Sequence, residues 1–233
     1  MTSPERKQAN PIDISLYLFY ITICVFFTHC LCKGGVWSLN LSNKITLSRI
    51  FIIPLFMIFA FPLPGVLGTL IPYGVRCIVS LVLFVIAEFS DLADGKIARK
   101  LNQVTDFGKF LDPIADKLLV SAALLCICAE RAMYVWPTMV ILIREFAVTG
   151  LRLVAASKGQ VIAAGKLGKL KTGLQTGAIS TLLSAKVLGL IYAPLDHFFT
   201  ICGDVVMILA VIMTIVSGIE YFVKNSEVLK GAK

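Results

Sequence analysis

The feature that most limits this chain is a succession of apolar stretches too long and too many for one soluble core. Seven recur, at about 14–31, 45–60, 71–88, 110–129, 134–156, 172–192 and 200–222. A helix needs about 20 mostly apolar residues to cross the hydrocarbon of a bilayer. Open sheet would leave backbone groups unsatisfied in lipid, so such stretches read as helices. Composition agrees: 58% of the residues are hydrophobic and only 15% charged, and mean hydropathy is +0.87, outside the usual globular balance. The expected fold is an all-α integral membrane protein. Its core is a six-transmembrane-helix bundle, with an additional N-terminal hydrophobic helix and a juxtamembrane amphipathic segment.

The extra helix is "ISLYLFYITICVFFTHCL", and no small-residue cleavage site follows it, so it reads as uncleaved. The amphipathic segment is "WSLNLSNKITLSRIF", where Trp37, Leu39 and Leu41 alternate with Asn40, Asn43, Lys44 and Arg49. The expected organisation is a tail and extra helix over 1–35, the six-helix domain over 36–224 and a cytoplasmic tail over 225–233.

Net charge is +8, but the cations gather in short links between apolar stretches, which disfavours a nucleic-acid partner. Lys96, Arg99, Lys100 and Lys109 occupy one link, and Lys158, Lys166, Lys169 and Lys171 another. The alternate links, "FPLPGVLG", "ERAM" and "APLDHF", carry almost no net positive charge. The excess of Lys and Arg on cytoplasmic loops places the basic links and the C-terminus in the cytoplasm, facing anionic lipid. Arg6 and Lys7 disfavour an outside N-terminus, so whether 14–31 spans or lies at the surface stays open. The seven cysteines lie mostly within apolar stretches and read as small buried hydrophobes, not as a disulfide framework.

Against this background one segment is anomalous: "SDLADGKIARKLNQVTDFGKFLDPIADK", from Ser90 to Lys117. Six of the fourteen acidic residues fall in this segment or just before it: Glu88, Asp91, Asp94, Asp106, Asp112 and Asp116. At about 100° per residue, Asp91, Asp94, Gly95 and Ala98 share one sector of a helix. Asp112 and Asp116 are four apart, with Gly108 four before Asp112, so these also share a face. Two helices joined by "KLNQVT" would bring the faces together, the small residues clearing space beside four carboxylates. At membrane depth such carboxylates would cost on the order of 10 kcal/mol together if uncompensated. A charge-balanced loop could pair them with Lys96, Arg99, Lys100 and Lys109. Two facing stripes with small residues interleaved favour a site instead. Oxygen-only donors suit hard divalent cations such as Mg²⁺, two of which can clamp the attacking and leaving oxygens of a phosphoryl-type displacement. A carboxylate free of ligand duty can serve as general base on a hydroxyl.

The pattern Asp91-x-x-Asp94-Gly95-x-x-Ala98-Arg99, eight residues, Gly108, three residues, Asp112, three residues, Asp116 resembles the signature of the CDP-alcohol phosphotransferases without a departure. Eight fixed positions at fixed spacing are far more specific than a lone glycine motif. The resemblance covers about 40–222 and implies the six-helix fold, a divalent cation (Mg²⁺ or Mn²⁺, two ions) and a homodimer. It implies Asp91, Asp94, Asp112 and Asp116 as metal ligands, with Asp116 the favoured general base. Gly95, Ala98, Arg99 and Gly108 would line the cytidine nucleotide site, with Thr46 and Arg49 nearby.

Three stretches, "SNKITLSRIFIIP", "REFAVTGLRLVAASKGQVIAA" and "GKLGKLKTGLQ", resemble members of the family whose acceptor is glycerol 3-phosphate. The implied reaction moves phosphatidyl from CDP-diacylglycerol to that acceptor and releases CMP, at the cytoplasmic face of a bacterial membrane. A small dianion needs fixed cations, and Arg144, Arg152, Lys169 and Lys171 are the candidates. Gly165 stands where the resemblance implies a more polar residue. Inositol phosphate, serine or phosphatidylglycerol remain alternative acceptors. A divalent-cation transporter is an alternative of another class, which predicts acidic residues at mid-span on several helices.

Overall fold

The computed structural model describes residues 41–61, 71–101, 106–157, 165–225, with the side chains of 41–47, 91–101, 106–116, 157 and 166 outside that description. The expected N-terminal helix and residues 37–40 of the amphipathic segment therefore lie outside the described residues, while the rest of that segment, 41–51, has helical backbone. All regular structure among the described residues is helical: α1 (Leu41–Ala60), α2 (Tyr73–Leu101), α3 (Asp106–Glu130), a 3₁₀ turn (Ala132–Tyr134), α4 (Val135–Ser157), α5 (Lys166–Ile191) and α6 (Ala193–Lys224). Among the described residues three stretches are long and apolar enough to cross a membrane: Tyr73–Ser90, Leu167–Ile191 and Ala193–Lys224. The chain divides into two compact units, Met1–Ala122 and Ala123–Lys233, the division falling within α3.

In the first unit α1 packs on α2. Ile50, Ile53, Phe56, Met57 and Ala60 form the buried stripe of α1, and Cys77, Ser80, Phe84 and Ala87 that of α2. The rings of Phe56 and Phe84 lie 5.9 Å apart, tilted at 46°, a favourable offset for two quadrupoles. Pro54 sits inside α1 and, lacking an N–H, gives the helix no donor at that position. Beyond the end of α1, Arg76 of α2 donates from Nη2 to the Phe61 carbonyl, a cation meeting the negative end of a helix.

In the second unit α6 carries the organising pattern. Thr200, Gly203, Met207, Ala210, Thr214, Ser217 and Tyr221 are buried at alternating spacings of three and four, the seam repeat of packed helices. Small residues in this seam let backbones approach closely, as suits helix packing in lipid. At Gly203 a Cβ would stand 2.6 Å from Leu182 Cδ2 of α5. The other faces of α6 present Ile201, Val205, Ile208, Ile212, Ile215, Ile219 and Val223 outward, as a lipid-facing surface would. α4 packs on the same helix through Val148, Leu151 and Ala155, which cluster with Tyr221.

Two boundaries differ from the sequence expectation, and both have a local cause. "APLDHF" was expected to link two spans, yet only Tyr192 separates α5 from α6, with extended backbone at φ −149° and ψ 111°. Pro194 suits the first turn of a helix because its missing N–H is unneeded there. Asp196, also in that turn, meets the positive helix end. The chain can double back this sharply because Gly189 leaves room for Asp196, whose Cβ would lie 2.6 Å from any Cβ at that position. The basic link "GKLGKLK" is likewise helix from Lys166 onward. Gly165, extended at φ −70° and ψ 160°, forms its N-cap and supplies no side-chain cap.

Candidate functional site

α2 does not end where the apolar stretch ends. It continues to Leu101 and carries Asp91, Asp94, Gly95, Ala98 and Arg99 on one continuous helix. α3 begins at Asp106 and carries Gly108, Asp112 and Asp116. Helical backbone on both sides gives each set the register expected of it: Asp91 and Asp94 share one sector of α2, and Asp112 and Asp116 one face of α3. Both sets belong to the first unit. The donor chemistry fits a hard divalent cation, since carboxylate oxygens alone are offered. The side chains of the four aspartates, and those of Thr46, Gly95, Ala98, Arg99 and Gly108, lie outside the described ones. Among the described residues no group of three or more His, Cys, Asp or Glu is gathered as a metal site. Arg49, the other residue expected near the nucleotide, is 1% exposed on α1.

The acceptor candidates fall in the second unit, and three of the four make defined contacts there. Arg144 reaches from α4 to α6, where its Nη2 donates to Ser217 Oγ at 3.1 Å. Gly218 makes that path possible, because a Cβ there would stand 3.2 Å from Arg144 Cγ. The same guanidinium lies against the first turn of α5, with Nη2 4.0 Å from where a Cβ on Gly168 would be. Arg152, two turns along α4, donates from Nε to the Tyr221 hydroxyl at 3.1 Å. Its guanidinium carbon is 5.5 Å from the centre of that ring.

Lys171 is buried on α5, and its Nζ is paired with Glu145 Oε1. The same Glu145 oxygen is 3.6 Å from Arg144 Nη1. Lys169 is exposed in the opening turns of α5 and makes no such bridge among the described residues.

These contacts give a cation-rich cluster at the start of α5. Lys166, Lys169 and Lys171 stand within the first six residues of the helix, where the macrodipole already contributes positive partial charge. Cations there are disfavoured by roughly 0.3–1 kcal/mol each. The free N–H groups of a helix start and nearby cations together make an anion-binding end, so the arrangement is suited to a phosphate.

The cluster continues inward as a polar seam. Gln175 Nε2 donates to Thr214 Oγ1 at 3.2 Å, Thr214 donates to the Ala210 carbonyl at 2.6 Å, and Ser217 donates to the Thr214 carbonyl at 3.2 Å. The sequence reading did not single out Ser217, Tyr221, Gln175 or Thr214. Their signal was faint but present: polar side chains at three- and four-residue spacing inside very apolar helices.

A family model described as CDP-alcohol phosphatidyltransferase matches residues 39–216. The chain belongs to the CDP-alcohol phosphatidyltransferase family. It is 49% identical over 197 residues to the CDP-diacylglycerol--glycerol-3-phosphate 3-phosphatidyltransferase of Bacillus subtilis, covering 82% of this chain and 97% of that protein. The protein of the same name from Rickettsia felis is 39% identical over 78% of this chain and 93% of its own length. That from Wigglesworthia glossinidia brevipalpis is 32% identical, covering 79% of this chain and 93% of its own. The matched region takes in the aspartate helices, the start of α5 and most of α6.

Proposed function

We propose that this chain transfers the phosphatidyl group of CDP-diacylglycerol to sn-glycerol 3-phosphate, giving phosphatidylglycerophosphate and CMP. The observation that carries this reading is the 49% identity to a relative named for that reaction, extending over 97% of the relative. The unbroken aspartate signature on α2 and α3 and the cationic start of α5 support it from the side of chemistry.

In this reading Asp91, Asp94, Asp112 and Asp116 hold Mg²⁺ or Mn²⁺, two ions in all, which when bound neutralise the diphosphate of the donor. Gly95, Ala98 and Gly108 leave room for the nucleotide, and Arg99, Thr46 and Arg49 supply polar contacts to it. Asp116 accepts the proton of the acceptor hydroxyl. The acceptor oxygen then bonds to the β-phosphorus, the bond from that phosphorus to the bridging oxygen breaks, and CMP departs with the α-phosphate. Arg144, Arg152, Lys169 and Lys171 hold the phosphate of the acceptor, the arginines offering the planar forks that suit its oxygens.

The reading places the domain over 36–224 as six spans of a bacterial cytoplasmic membrane. The aspartates and the start of α5 then face the cytoplasm, and the assembly is a homodimer. The basic links at 96–109 and 158–171 support that orientation.

The test is CMP release by the purified chain in detergent with CDP-diacylglycerol and Mg²⁺, supplying glycerol 3-phosphate, inositol phosphate or serine separately. Release with glycerol 3-phosphate alone is the expected outcome. Release only with another acceptor keeps the family and overturns the substrate.

A further inference from the structure

The four acceptor-site cations leave out the one anion placed among them. Glu145 sits next to Arg144 in the chain and projects from α4 to α5, where its Oε1 is paired with Lys171 and stands 3.6 Å from Arg144 Nη1. Its side chain is 19% exposed and that of Lys171 only 3%. A lysine so buried needs its ammonium held, and Glu145 does so from a neighbouring helix. One oxygen thus fixes the spacing between two cations on different helices, while Ser217 holds Arg144 from α6 at 3.1 Å.

We infer that Glu145 is a positioning residue for the acceptor phosphate: it sets the distance and direction at which Arg144 and Lys171 present their charges. The inference rests on the proposed function, and it goes beyond that reading in giving an anion a constructive role in an anion site. An unrestrained pair of like charges would separate, since repulsion between neighbouring cations is relieved by moving apart. The carboxylate between them offsets that repulsion while leaving the pair a net positive charge. Its position on α4 beside Arg144 also ties the phosphate-facing cation of α5 to the helix that carries both arginines. A mere counter-ion would have to be present only for folding. A positioning residue must affect how tightly the acceptor is held and leave the handling of the nucleotide lipid alone.

The experiment measures steady-state KM for glycerol 3-phosphate and for CDP-diacylglycerol, with kcat, in Glu145→Gln, Glu145→Asp, Lys171→Gln and the Glu145→Gln/Lys171→Gln double variant. Thermal midpoints in detergent control for folding. Glu145→Gln is expected to raise the acceptor KM about tenfold or more, the scale of a lost charge-assisted hydrogen bond, with the KM for CDP-diacylglycerol unchanged. Glu145→Asp recovers most of the loss. The double variant is no worse than Lys171→Gln alone, because residues acting through one another are not additive.

Equal rises in both KM values, an unchanged acceptor KM, or an acceptor KM lowered by Glu145→Gln would each overturn the inference. The last outcome would make the carboxylate a competitor for the phosphate. If Glu145→Gln alone does not fold, the comparison of Lys171→Gln with the double variant carries the test. An acceptor KM in Lys171→Gln equal to that of the wild type, or one in the double variant well above that of Lys171→Gln, overturns the inference. Failure of the proposed function itself shows separately, as wild-type protein that releases no CMP with glycerol 3-phosphate.

Discussion

Arg152 meets Tyr221 twice, donating from Nε to the hydroxyl at 3.1 Å while its guanidinium carbon lies 5.5 Å from the ring centre. The ring is buried and the arginine exposed. An exposed arginine held by a buried aromatic is aimed rather than free, because the ring contact restricts the plane of the guanidinium and the hydroxyl fixes its rotation. The two contacts can be separated. Tyr221→Phe keeps the ring and removes the hydrogen bond. It is expected to raise the KM for glycerol 3-phosphate by about threefold to tenfold, within the range of single hydrogen bonds to charged groups. Arg152→Lys loses the planar fork altogether and is expected to do more damage than Tyr221→Phe. Both are read from acceptor titrations of CMP release at saturating CDP-diacylglycerol, and equal effects on both substrates would count against the assignment.

The aspartates of α2 and α3 call for a different readout. Asp116→Asn keeps the size and removes the proposed proton acceptor. It is expected to lower kcat by about 10²–10⁴-fold, the usual contribution of a positioned general base. Asp94→Asn is expected to weaken the apparent affinity for Mg²⁺, so that activity partly returns at high metal concentration. Chelation should abolish CMP release by the wild type, and Mg²⁺ or Mn²⁺ should restore it. Activity that survives chelation would refute the ligand assignment for all four carboxylates.

The contrast between these two groups shows what could be read in the sequence. Asp91, Asp94, Asp112 and Asp116 stand out because they lie in short range of one another, at spacings that helix geometry converts directly into faces. The helical register of α2 and α3 agrees with that reading. Arg144 and Arg152 stand out for another reason, as charges inside an apolar stretch where burial is costly; Arg144 is indeed largely covered, whereas Arg152 is exposed. The bond from Lys171 to Glu145 was not legible, since those residues are 26 apart in the chain and meet only because α4 and α5 both pack against α6. Ser217 and Tyr221 were hidden in the same way: within α6 they look like ordinary polar interruptions until the facing arginines are known. Charge is a poor mark of a loop at the starts of α5 and α6. The lysines of α5 and Asp196 of α6 lie on helix because Gly165 and Pro194, not the charged residues, decide where the helices begin.

The approach of α5 to α6 makes a prediction about stability alone. Gly203 has Leu182 so near that a Cβ would fall 2.6 Å from Cδ2 and 2.7 Å from Cγ. Cγ is not the free end of a side chain, so the helices themselves must shift. Gly203→Ala is expected to cost about 1–3 kcal/mol, the usual penalty of overpacking. It should lower the thermal midpoint in detergent while changing neither KM in the protein that remains folded. An unchanged midpoint would mean that the seam between these helices is looser than the geometry indicates.

The polar seam deeper in the second unit allows a sharper test, because its two partners can be removed together. Thr214 is wholly buried, accepting from Gln175 at 3.2 Å and donating to the Ala210 carbonyl at 2.6 Å. Thr214→Val keeps the shape and leaves the Gln175 amide facing an apolar wall. Hydrogen bonds between membrane helices are worth about 0.6 kcal/mol on average and at most about 1.7. An amide stranded without a partner costs about 1–3 kcal/mol. Thr214→Val is therefore expected to destabilise by about 1 kcal/mol, and Gln175→Leu on its own by less, since Thr214 keeps its bond to Ala210. The double variant Gln175→Leu/Thr214→Val strands no amide and is expected to be more stable than Thr214→Val alone. That ordering follows from desolvation and not from the number of bonds lost, because the double variant has no more hydrogen bonds than the single one. Denaturation midpoints of the four proteins in one detergent decide it. If the double variant is instead the least stable, the seam contributes as a connected network in which the Thr214 and Gln175 side chains support each other.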